Sequence, residues 1–214
     1  MQAARATLPP VTQPTPQTLA GLTQRYVLSA KEGDAADFAR LYEHIAPAVF
    51  TWAQLRMRPE QKAVLDPADL VQEVWLRAWR KIDTFDAERI PFRFWIFRIA
   101  KNVALEASRQ ARKPDRGRQP SGDGSPLDAV ADSITGVSAR VARDESLARF
   151  QAAVLELPED ERKLVIHCGL EGLPLREVGE RLAISEEAAT KRWQRLRQRL
   201  QSGELPAHLL DIGA

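Results

Sequence analysis

Apolar side chains recur at three- and four-residue spacing through most of this chain, and that spacing constrains the fold more than any other feature. In residues 34–50, DAADFARLYEHIAPAVF, the recurring positions are Phe38, Leu41, Tyr42 and Ile45. Such spacing puts side chains on one face of an α-helix. No segment combines strand-like alternation with hairpin turn signals. We therefore predict an all-α protein.

The sequence also predicts where a central helix begins. Asp66 suits the N-cap, Pro67 suits the first helical position, and Asp69 brings a negative charge to the first turn. We expect this helix to extend to about Ile82. Its buried side is predicted to carry Val71, Val74, Trp75, Ala78 and Ile82.

A stretch rich in proline, glycine, serine and aspartate, PDRGRQPSGDGSPLDAVADSITGV, separates two helical blocks. We interpret it as a flexible linker. A chain of 214 residues is long enough for two small domains on either side of it. In chain order we predict a disordered arm over residues 1–19, a helical domain over 20–113, the linker over 114–137, a second helical domain over 138–202 and a tail over 203–214.

The composition argues against several kinds of site and against some cellular locations of the protein. Cys168 is the only cysteine, so the sequence offers no internal disulfide and no cysteine-rich zinc site. We interpret it as a small buried thiol. The first residues lack an apolar run of signal-peptide length, and no stretch approaches the roughly 18 apolar residues of a membrane span. We expect a cytoplasmic protein without a membrane partner, a metal site or a cofactor.

Charge is separated along the chain although the net charge is only +2. Residues 89–118 carry nine Lys or Arg against two Asp or Glu, whereas residues 66–88 carry six acids against three bases. The two segments have local balances of +7 and −3. This separation indicates two different partners.

The acidic segment has a face suited to binding a protein. Asp69, Gln72, Glu73 and Leu76 lie opposite the predicted buried side of their helix. An apolar residue flanked by charges is typical of interfaces. A plain solvated face is the alternative interpretation.

The basic segment is a helix with two different sides. The side predicted to be buried carries Phe92, Ile96, Ile99, Ala100, Val103 and Ala107. The other side mixes aromatic rings with cations and an amide, namely Phe94, Trp95, Arg98, Lys101, Asn102, Leu105, Arg109 and Arg112. Cations hold phosphates, and exposed rings stack on unpaired bases, so this side suits opened or single-stranded nucleic acid. Packing of Phe94 and Trp95 against a neighbouring helix explains the aromatic residues equally well, and we expect Trp95 to be at least partly buried.

The second block contains a helix-turn-helix pattern in LPLREVGERLAISEEAATKRWQRLRQRL. Ser185 suits the N-cap of the longer helix, whose core face is predicted to be Ala189, Trp193, Leu196 and Leu200. Positions able to reach a major groove are Thr190, Lys191, Gln194 and Arg195, and those able to hold phosphates are Arg192, Arg197 and Arg199. An amphipathic helix pair in a small bundle is the alternative. Ala183 occupies a position where many such turns carry glycine, and a left-handed conformation there would cost about 1–2 kcal/mol.

Three segments in order resemble the extracytoplasmic-function group of bacterial sigma-70 factors: DLVQEVWLRAWRKIDTF, FWIFRIAKN and LPEDERKLVIHCGLEGLPLREVGERLAISEEAATKRWQRLRQRL. The resemblance extends from about Leu22 to Leu200. It implies an all-α protein of two domains that binds core RNA polymerase, through the β′ clamp helices and the β subunit, and promoter DNA. The first domain would open the −10 element, and the second would read the −35 element. Many relatives are held by an anti-sigma factor, which is a further partner that the resemblance suggests.

The resemblance also assigns roles to residues. It implies that Asp69, Gln72 and Glu73 contact the polymerase, and Leu76 lies on the same face. It puts Phe85 in a loop that captures a flipped base and Asn102 among the residues that read the −10 element. It matches the recognition helix to Thr190, Lys191, Gln194 and Arg195. From charge and position we add Arg98, Lys101 and Arg109 as phosphate contacts at the −10 element, and Arg192 and Arg197 at the −35 element.

Some residues depart from the family pattern. Ala188 and Ala189 stand where Thr and Val are common, and Asp86 and Glu88 make the base preference of the Phe85 loop an open question.

Two other functions fit the sequence less well. A stand-alone helix-turn-helix regulator would leave the acidic face without a role. A nuclease would use Asp66, Asp69 and Glu73 as metal ligands, but no histidine accompanies them, and Asp66 is better used as a cap. We therefore do not expect an enzyme.

Overall fold

A computed structural model of the protein describes residues 19–112, residue 136 and residues 140–201. Nearly all of the predicted arm, linker and tail lies outside these residues. The described residues form helices and contain no strand. In chain order the helices are α1 (Leu19–Lys31), α2 (Ala35–Arg56), α3 (Pro59–Val64), α4 (Pro67–Lys81), α5 (Phe92–Ala111), α6 (Glu145–Glu156), α7 (Glu159–Leu164), α8 (Leu175–Leu182) and α9 (Glu186–Gln201).

The helices of the first domain begin where their capping residues predict. The Asp34 carboxylate accepts hydrogen bonds from the backbone N–H groups of Ala36 and Asp37 and so caps α2. Asp66 caps α4 in the same way, with Pro67 in the first turn, as the sequence predicts. Each cap satisfies N–H groups that have no partner inside the helix.

The core of the first domain is built around aromatic side chains of α2 and α4. Trp75 is fully buried, and its ring meets those of Phe38 and Tyr42 edge to face, with centroids 5.3 and 4.9 Å apart. Edge-to-face contacts of this kind add to the energy of burial. The predicted apolar sides of α4 and α5 are both buried, so the helical spacing identified them correctly. Phe97, which the sequence analysis assigned to neither side of α5, is also buried.

Two elements were not expected from the sequence. The short helix α3 carries no buried residue, which is why its spacing gave no signal. After α7 the chain continues as a π-helical turn, Val165–Leu170, in which the N–H of Glu171 donates to the carbonyl oxygen of Ile166 at 2.9 Å. Cys168 is buried in this turn, and burial raises its pKa to about 12. The expectation of a small buried thiol is therefore confirmed.

The helix-turn-helix pattern is confirmed as α8, a three-residue turn and α9. Ala183 ends α8 in a left-handed conformation, with φ 53° and ψ 41°. The N–H of Ala188 donates to the Ser185 hydroxyl at 3.2 Å, so Ser185 caps α9. The predicted core face of α9 is buried at all four positions, Ala189, Trp193, Leu196 and Leu200.

The two domains contact each other. Helix α6 and the π-helical turn both pack against α2. This contact brings residues of the second domain next to α5, the helix for which nucleic-acid binding was predicted.

Candidate nucleic-acid and partner interfaces

The four residues of the predicted protein-binding face of α4 are Asp69, Gln72, Glu73 and Leu76, and each is half-buried. Leu76 packs partly against the core, and the rest of its side chain remains accessible. The face is therefore accessible and slightly apolar at its centre, as the sequence predicts.

Glu73 on this face is held by a network that the sequence did not suggest. The Nε–H of Arg77 donates to Glu73 Oε1 at 2.6 Å. The other two guanidinium nitrogens of Arg77 donate to both oxygens of Glu106 in α5, at 2.8 and 2.7 Å. The hydrogen bond from Arg77 lowers the pKa of Glu106 below its usual value, so this carboxylate is ionised at neutral pH. Arg77 thus holds the Glu73 carboxylate in place and joins it to a second acid, Glu106 of α5.

The predicted nucleic-acid side of α5 is divided. Arg98, Asn102 and Arg109 are exposed, at spacings of four and seven residues along one face. Lys101 is different because its Nζ donates to Glu171 Oε2 of the second domain at 2.8 Å. Three of the four predicted α5 residues therefore lie on an exposed surface, and the fourth, Lys101, is bonded to the second domain.

Phe85 lies inside the first domain, with 2% of its surface exposed. Its ring contacts those of Phe92 and Trp95, with centroids 5.4 and 5.2 Å apart. The Nζ of Lys31 donates to the Phe85 carbonyl oxygen at 2.9 Å. In this conformation the ring offers no open face to a base, which differs from the expected stacking surface. The reason is that Phe92 and Trp95 enclose the ring, a contact that sequence spacing within one helix cannot reveal.

Trp95 is partly buried, as expected, and so is Phe94. Both pack against the core. Packing against the core therefore explains the buried part of each ring.

Glu171 at the end of the π-helical turn is the most buried charged residue among those described, with 1% of its surface exposed. Its Oε1 accepts from Trp52 Nε1 of α2 at 2.8 Å. Its Oε2 lies 2.8 Å from Lys101 Nζ and 3.0 Å from His167 Nδ1. Burial alone would raise the pKa of Glu171, but the hydrogen bonds from His167, Lys101 and Trp52 outweigh it and hold the pKa at about 2. The carboxylate is therefore ionised inside the contact between the domains.

Arg93 adds a second polar contact between the domains. Its Nε donates to the carbonyl oxygen of Leu170 at 2.7 Å, and one terminal nitrogen donates to that of Gly169 at 3.0 Å. The sequence analysis missed Trp52, Arg93 and Glu171. An acid set between apolar residues in the segment CGLEGL was the available signal.

The recognition helix α9 presents its polar side to solvent. Lys191, Arg192, Gln194 and Arg195 are exposed, whereas Thr190 and Arg197 are half-buried. Lys191 pairs with Glu187 at 2.6 Å, and the Thr190 hydroxyl donates to the Glu186 carbonyl oxygen at 2.8 Å. All six residues lie outside the buried side of α9.

Two further observations concern the described residues alone. No cluster of three or more His, Cys, Asp or Glu side chains with the arrangement of a metal site occurs among them. Within residues 19–112 and 140–201, no helix has both the length and the apolar character needed to cross a membrane.

Comparison with protein-family models gives two matches. The model of Sigma-70 region 2 matches residues 41–113. The model of Sigma-70, region 4, matches residues 147–200. Together the two models cover most of both helical domains.

Curated proteins with similar sequences are sigma factors. The chain is similar to the RNA polymerase sigma factor CnrH of Cupriavidus metallidurans, with 31% identity over 139 residues, covering 64% of this chain and 72% of CnrH. It is also similar to the ECF RNA polymerase sigma factor SigW of Bacillus subtilis, with 26% identity over 185 residues, covering 84% of this chain and 95% of SigW. Among solved structures, that of CnrH in complex with the cytosolic domain of CnrY matches 85% of this chain and 96% of that chain, with a TM-score of 0.40 and 23% identity.

Proposed function

Since this chain belongs to the sigma-70 family and is an RNA polymerase sigma factor of the extracytoplasmic-function group, we propose that three separate faces divide its work. The chain directs core RNA polymerase to promoter DNA. The proposal assigns polymerase binding to α4, the opened −10 element to α5 and the −35 element to α9.

The acidic face of α4 is the proposed contact with the β′ clamp helices of core polymerase. Asp69, Gln72 and Glu73 offer charge and hydrogen-bonding groups around the accessible part of Leu76. An apolar centre with a polar rim suits a protein partner. The ordered Glu73 carboxylate supports this assignment, because a side chain that is already fixed loses little conformational entropy on binding.

The exposed side of α5 is the proposed contact with the −10 element. Arg98 and Arg109 would hold phosphates, and Asn102 would offer an amide donor and acceptor to a base. Lys101 would add a phosphate contact once Glu171 is displaced. Phe85 keeps its proposed role in base capture only if the loop that carries it rearranges.

The surface of α9 is the proposed contact with the −35 element. Lys191, Gln194 and Arg195 are exposed and carry groups that can bond base edges, with Thr190 beside them. Arg192 and Arg197 would hold phosphates.

One observation carries this division of work, namely that two surfaces of different character occur in one chain. The acidic face of α4, centred on Leu76, suits a protein, while the basic polar side of α9 suits DNA. A stand-alone regulator would need only the second surface and would leave the region 2 match without a role. The alternative interpretation is therefore not supported.

Other parts of the proposal follow from the family. Members of this family are generally regulators without enzymatic activity, and no reaction is proposed for this chain. Because core polymerase and promoter DNA lie in the bacterial cytoplasm, the proposal places the chain there. The relative CnrH has been solved with the cytosolic domain of CnrY, and an anti-sigma partner for this chain remains a prediction.

A binding titration with bacterial core RNA polymerase tests the assignment. The full chain should form a near one-to-one complex with core polymerase in the absence of DNA. A chain that binds promoter DNA alone and does not bind core polymerase would contradict the proposal.

A further inference from the structure

The second domain engages part of the surface that the proposed function assigns to DNA. The Nζ of Lys101 lies 2.8 Å from Glu171 Oε2, and Glu171 is almost completely excluded from solvent. A phosphate oxygen bound to Lys101 at the same site would have to occupy the position of Oε2. The Lys101 side chain remains 36% exposed, so other N–H groups of its ammonium still face solvent, but its charge is already paired with an anion. The bond to Glu171 therefore competes with the proposed bond to DNA.

Arg93, two turns before Lys101 on α5, binds the same segment of the second domain. It donates to the carbonyl oxygens of Leu170 and Gly169, at 2.7 and 3.0 Å. A Cβ atom on Gly172 would lie 3.4 Å from Cδ of Arg93, so the backbone of the second domain also lies close to the aliphatic part of this side chain. Arg93, Phe97 and Lys101 follow one another at four-residue spacing. The two ends of this stripe, Arg93 and Lys101, thus both contact the second domain.

Helix α2 supplies a second donor from the first domain to the Glu171 carboxylate. The Nε1–H of Trp52 donates to Glu171 Oε1 at 2.8 Å, and its ring lies 6.0 Å from that of Phe97. The side chains of Trp, Lys and Arg carry hydrogen-bond donors and no acceptor at neutral pH. The first domain therefore presents to this segment a set of donors that suits an anion.

We propose that residues 169–171 form a removable cover on α5, in which the Glu171 carboxylate takes the position that a promoter phosphate would occupy on Lys101. The proposal rests on the proposed function, because it requires Lys101 to bind DNA. While this contact is closed, the charge of Lys101 is paired with Glu171 and is less available to a promoter phosphate. Separation of the segment from α5 then strengthens the contact of Lys101 with the opened −10 element.

The chemistry of the contact makes this separation feasible. Moving charged groups out of water costs desolvation energy, which their mutual attraction must offset. When the contact opens, water hydrates those groups again. A polar contact of this kind is consequently easier to open than an apolar one of equal area. A phosphate strand or the polymerase surface can supply the competing interactions.

Single-molecule energy transfer on the full chain tests the cover. Dyes can be attached through Ala63→Cys in the first domain and Gln198→Cys in the second, since both positions are exposed. The buried Cys168 should remain unlabelled. The free chain should show one narrow distribution of transfer efficiency, which belongs to the closed chain with residues 169–171 against α5. Binding of core polymerase should replace it with a distribution at a different efficiency, which belongs to the open chain.

Two variants remove the contact from opposite sides. Glu171→Gln removes the charge and keeps an oxygen for Trp52, and Arg93→Gln removes the guanidinium donors from the first domain. Each should increase the open population at least tenfold while the helical circular dichroism stays unchanged. Glu159→Gln, a matched change at an exposed acid paired with Lys163, should leave the populations as they are.

The outcomes separate the cover from the DNA role of Lys101. If neither Glu171→Gln nor Arg93→Gln changes the populations, the cover is wrong, and the proposed function stands. If Lys101→Ala opens the free chain but melts promoters as the parent chain does, the competition with phosphate is wrong because Lys101 does not bind DNA. Opening of the free chain together with reduced promoter melting by Lys101→Ala is the result that we expect.

Discussion

Gly179 in α8 approaches Ile184 in the following turn so closely that a Cβ atom on Gly179 would lie 2.8 Å from the Ile184 carbonyl oxygen. The N–H of Ile184 also donates to the Gly179 carbonyl oxygen at 3.0 Å. A backbone oxygen cannot move aside as a flexible side chain can. The turn that sets the angle of the recognition helix therefore requires glycine at position 179.

Gly179→Ala should destabilise the second domain. The added methyl group would force α8 and the turn apart, and overpacking of this kind typically costs about 1–3 kcal/mol. Urea denaturation followed by circular dichroism measures the change in the free energy of unfolding.

Ala183→Gly is the matched control in the same turn. Ala183 has a left-handed backbone with φ 53°, which costs roughly 1–2 kcal/mol for a residue with a Cβ. Glycine removes this cost but loses about 0.5–1 kcal/mol through its greater freedom when unfolded. We expect a small gain in stability. Equal unfolding curves for Gly179→Ala and the parent chain would show that the close approach is absent.

Glu73→Arg should weaken binding to core polymerase. The change reverses a charge on the α4 face and puts a second cation beside Arg77, which now holds Glu73 at 2.6 Å. Reversing a central interface charge costs about 2–5 kcal/mol, and a peripheral one much less. A titration with labelled core polymerase measures the affinity.

Glu32→Arg is the control for this charge reversal, because Glu32 is exposed just after α1 and is not one of the residues of the α4 face. It should leave the affinity unchanged. Leu76→Asp should weaken binding as Glu73→Arg does. Normal affinity for both Glu73→Arg and Leu76→Asp would exclude this face as the polymerase contact.

Variants of α9 should separate base reading from phosphate binding. Lys191→Ala and Arg195→Ala should each relax selectivity for the −35 element by about 1–3 kcal/mol per lost base contact. Arg197→Ala should weaken binding to all sequences nearly equally and reduce its salt dependence. Binding of holoenzyme to a panel of mutated promoters at several salt concentrations measures both effects. Identical behaviour of the three variants would contradict the assignment.

Asn102→Ala should impair promoter melting more than promoter binding. Asn102 is exposed on α5, and the cost of unstacking a base, a few kcal/mol, must be offset by contacts to the freed strand. Permanganate reactivity of thymines near the start site should fall, and a template already mismatched there should recover much of the lost transcription. Gln110→Ala, at an exposed position on the same helix, is the control. Normal melting by Asn102→Ala would remove this residue from the proposed contact.

The predicted role of Phe85 requires a different test from the one for Asn102. Truncation of a buried Phe typically costs 3–5 kcal/mol of stability, and Phe85 is buried against Phe92 and Trp95. A melting defect in Phe85→Ala is informative only if the variant remains folded. Its circular dichroism and thermal unfolding should be measured first.

The helices and their caps were predictable because the signals are local. Asp66 and Ser185 bind backbone N–H groups two or three residues away, so their roles can be inferred from adjacent sequence. The same holds for the core faces of α4 and α9, whose residues share one side of one helix.

The contacts that the sequence did not reveal join residues far apart in the chain. Trp52 and Glu171 are separated by 119 positions, and Arg93 and Leu170 by 77. Helical spacing assigns a residue to a face but cannot identify what packs on that face. Lys101 illustrates the limit, since its partner Glu171 comes from the second domain, 70 positions away.

In vitro transcription with purified core polymerase tests the central claim most directly. Core polymerase, the full chain and genomic DNA fragments are combined, and transcript 5′ ends are mapped with and without the chain. The account predicts transcripts that begin at defined sites, that require the chain, and that are reduced by Glu73→Arg and by Arg195→Ala. Start sites that are the same with and without the chain, or a chain that only represses transcription, would contradict it.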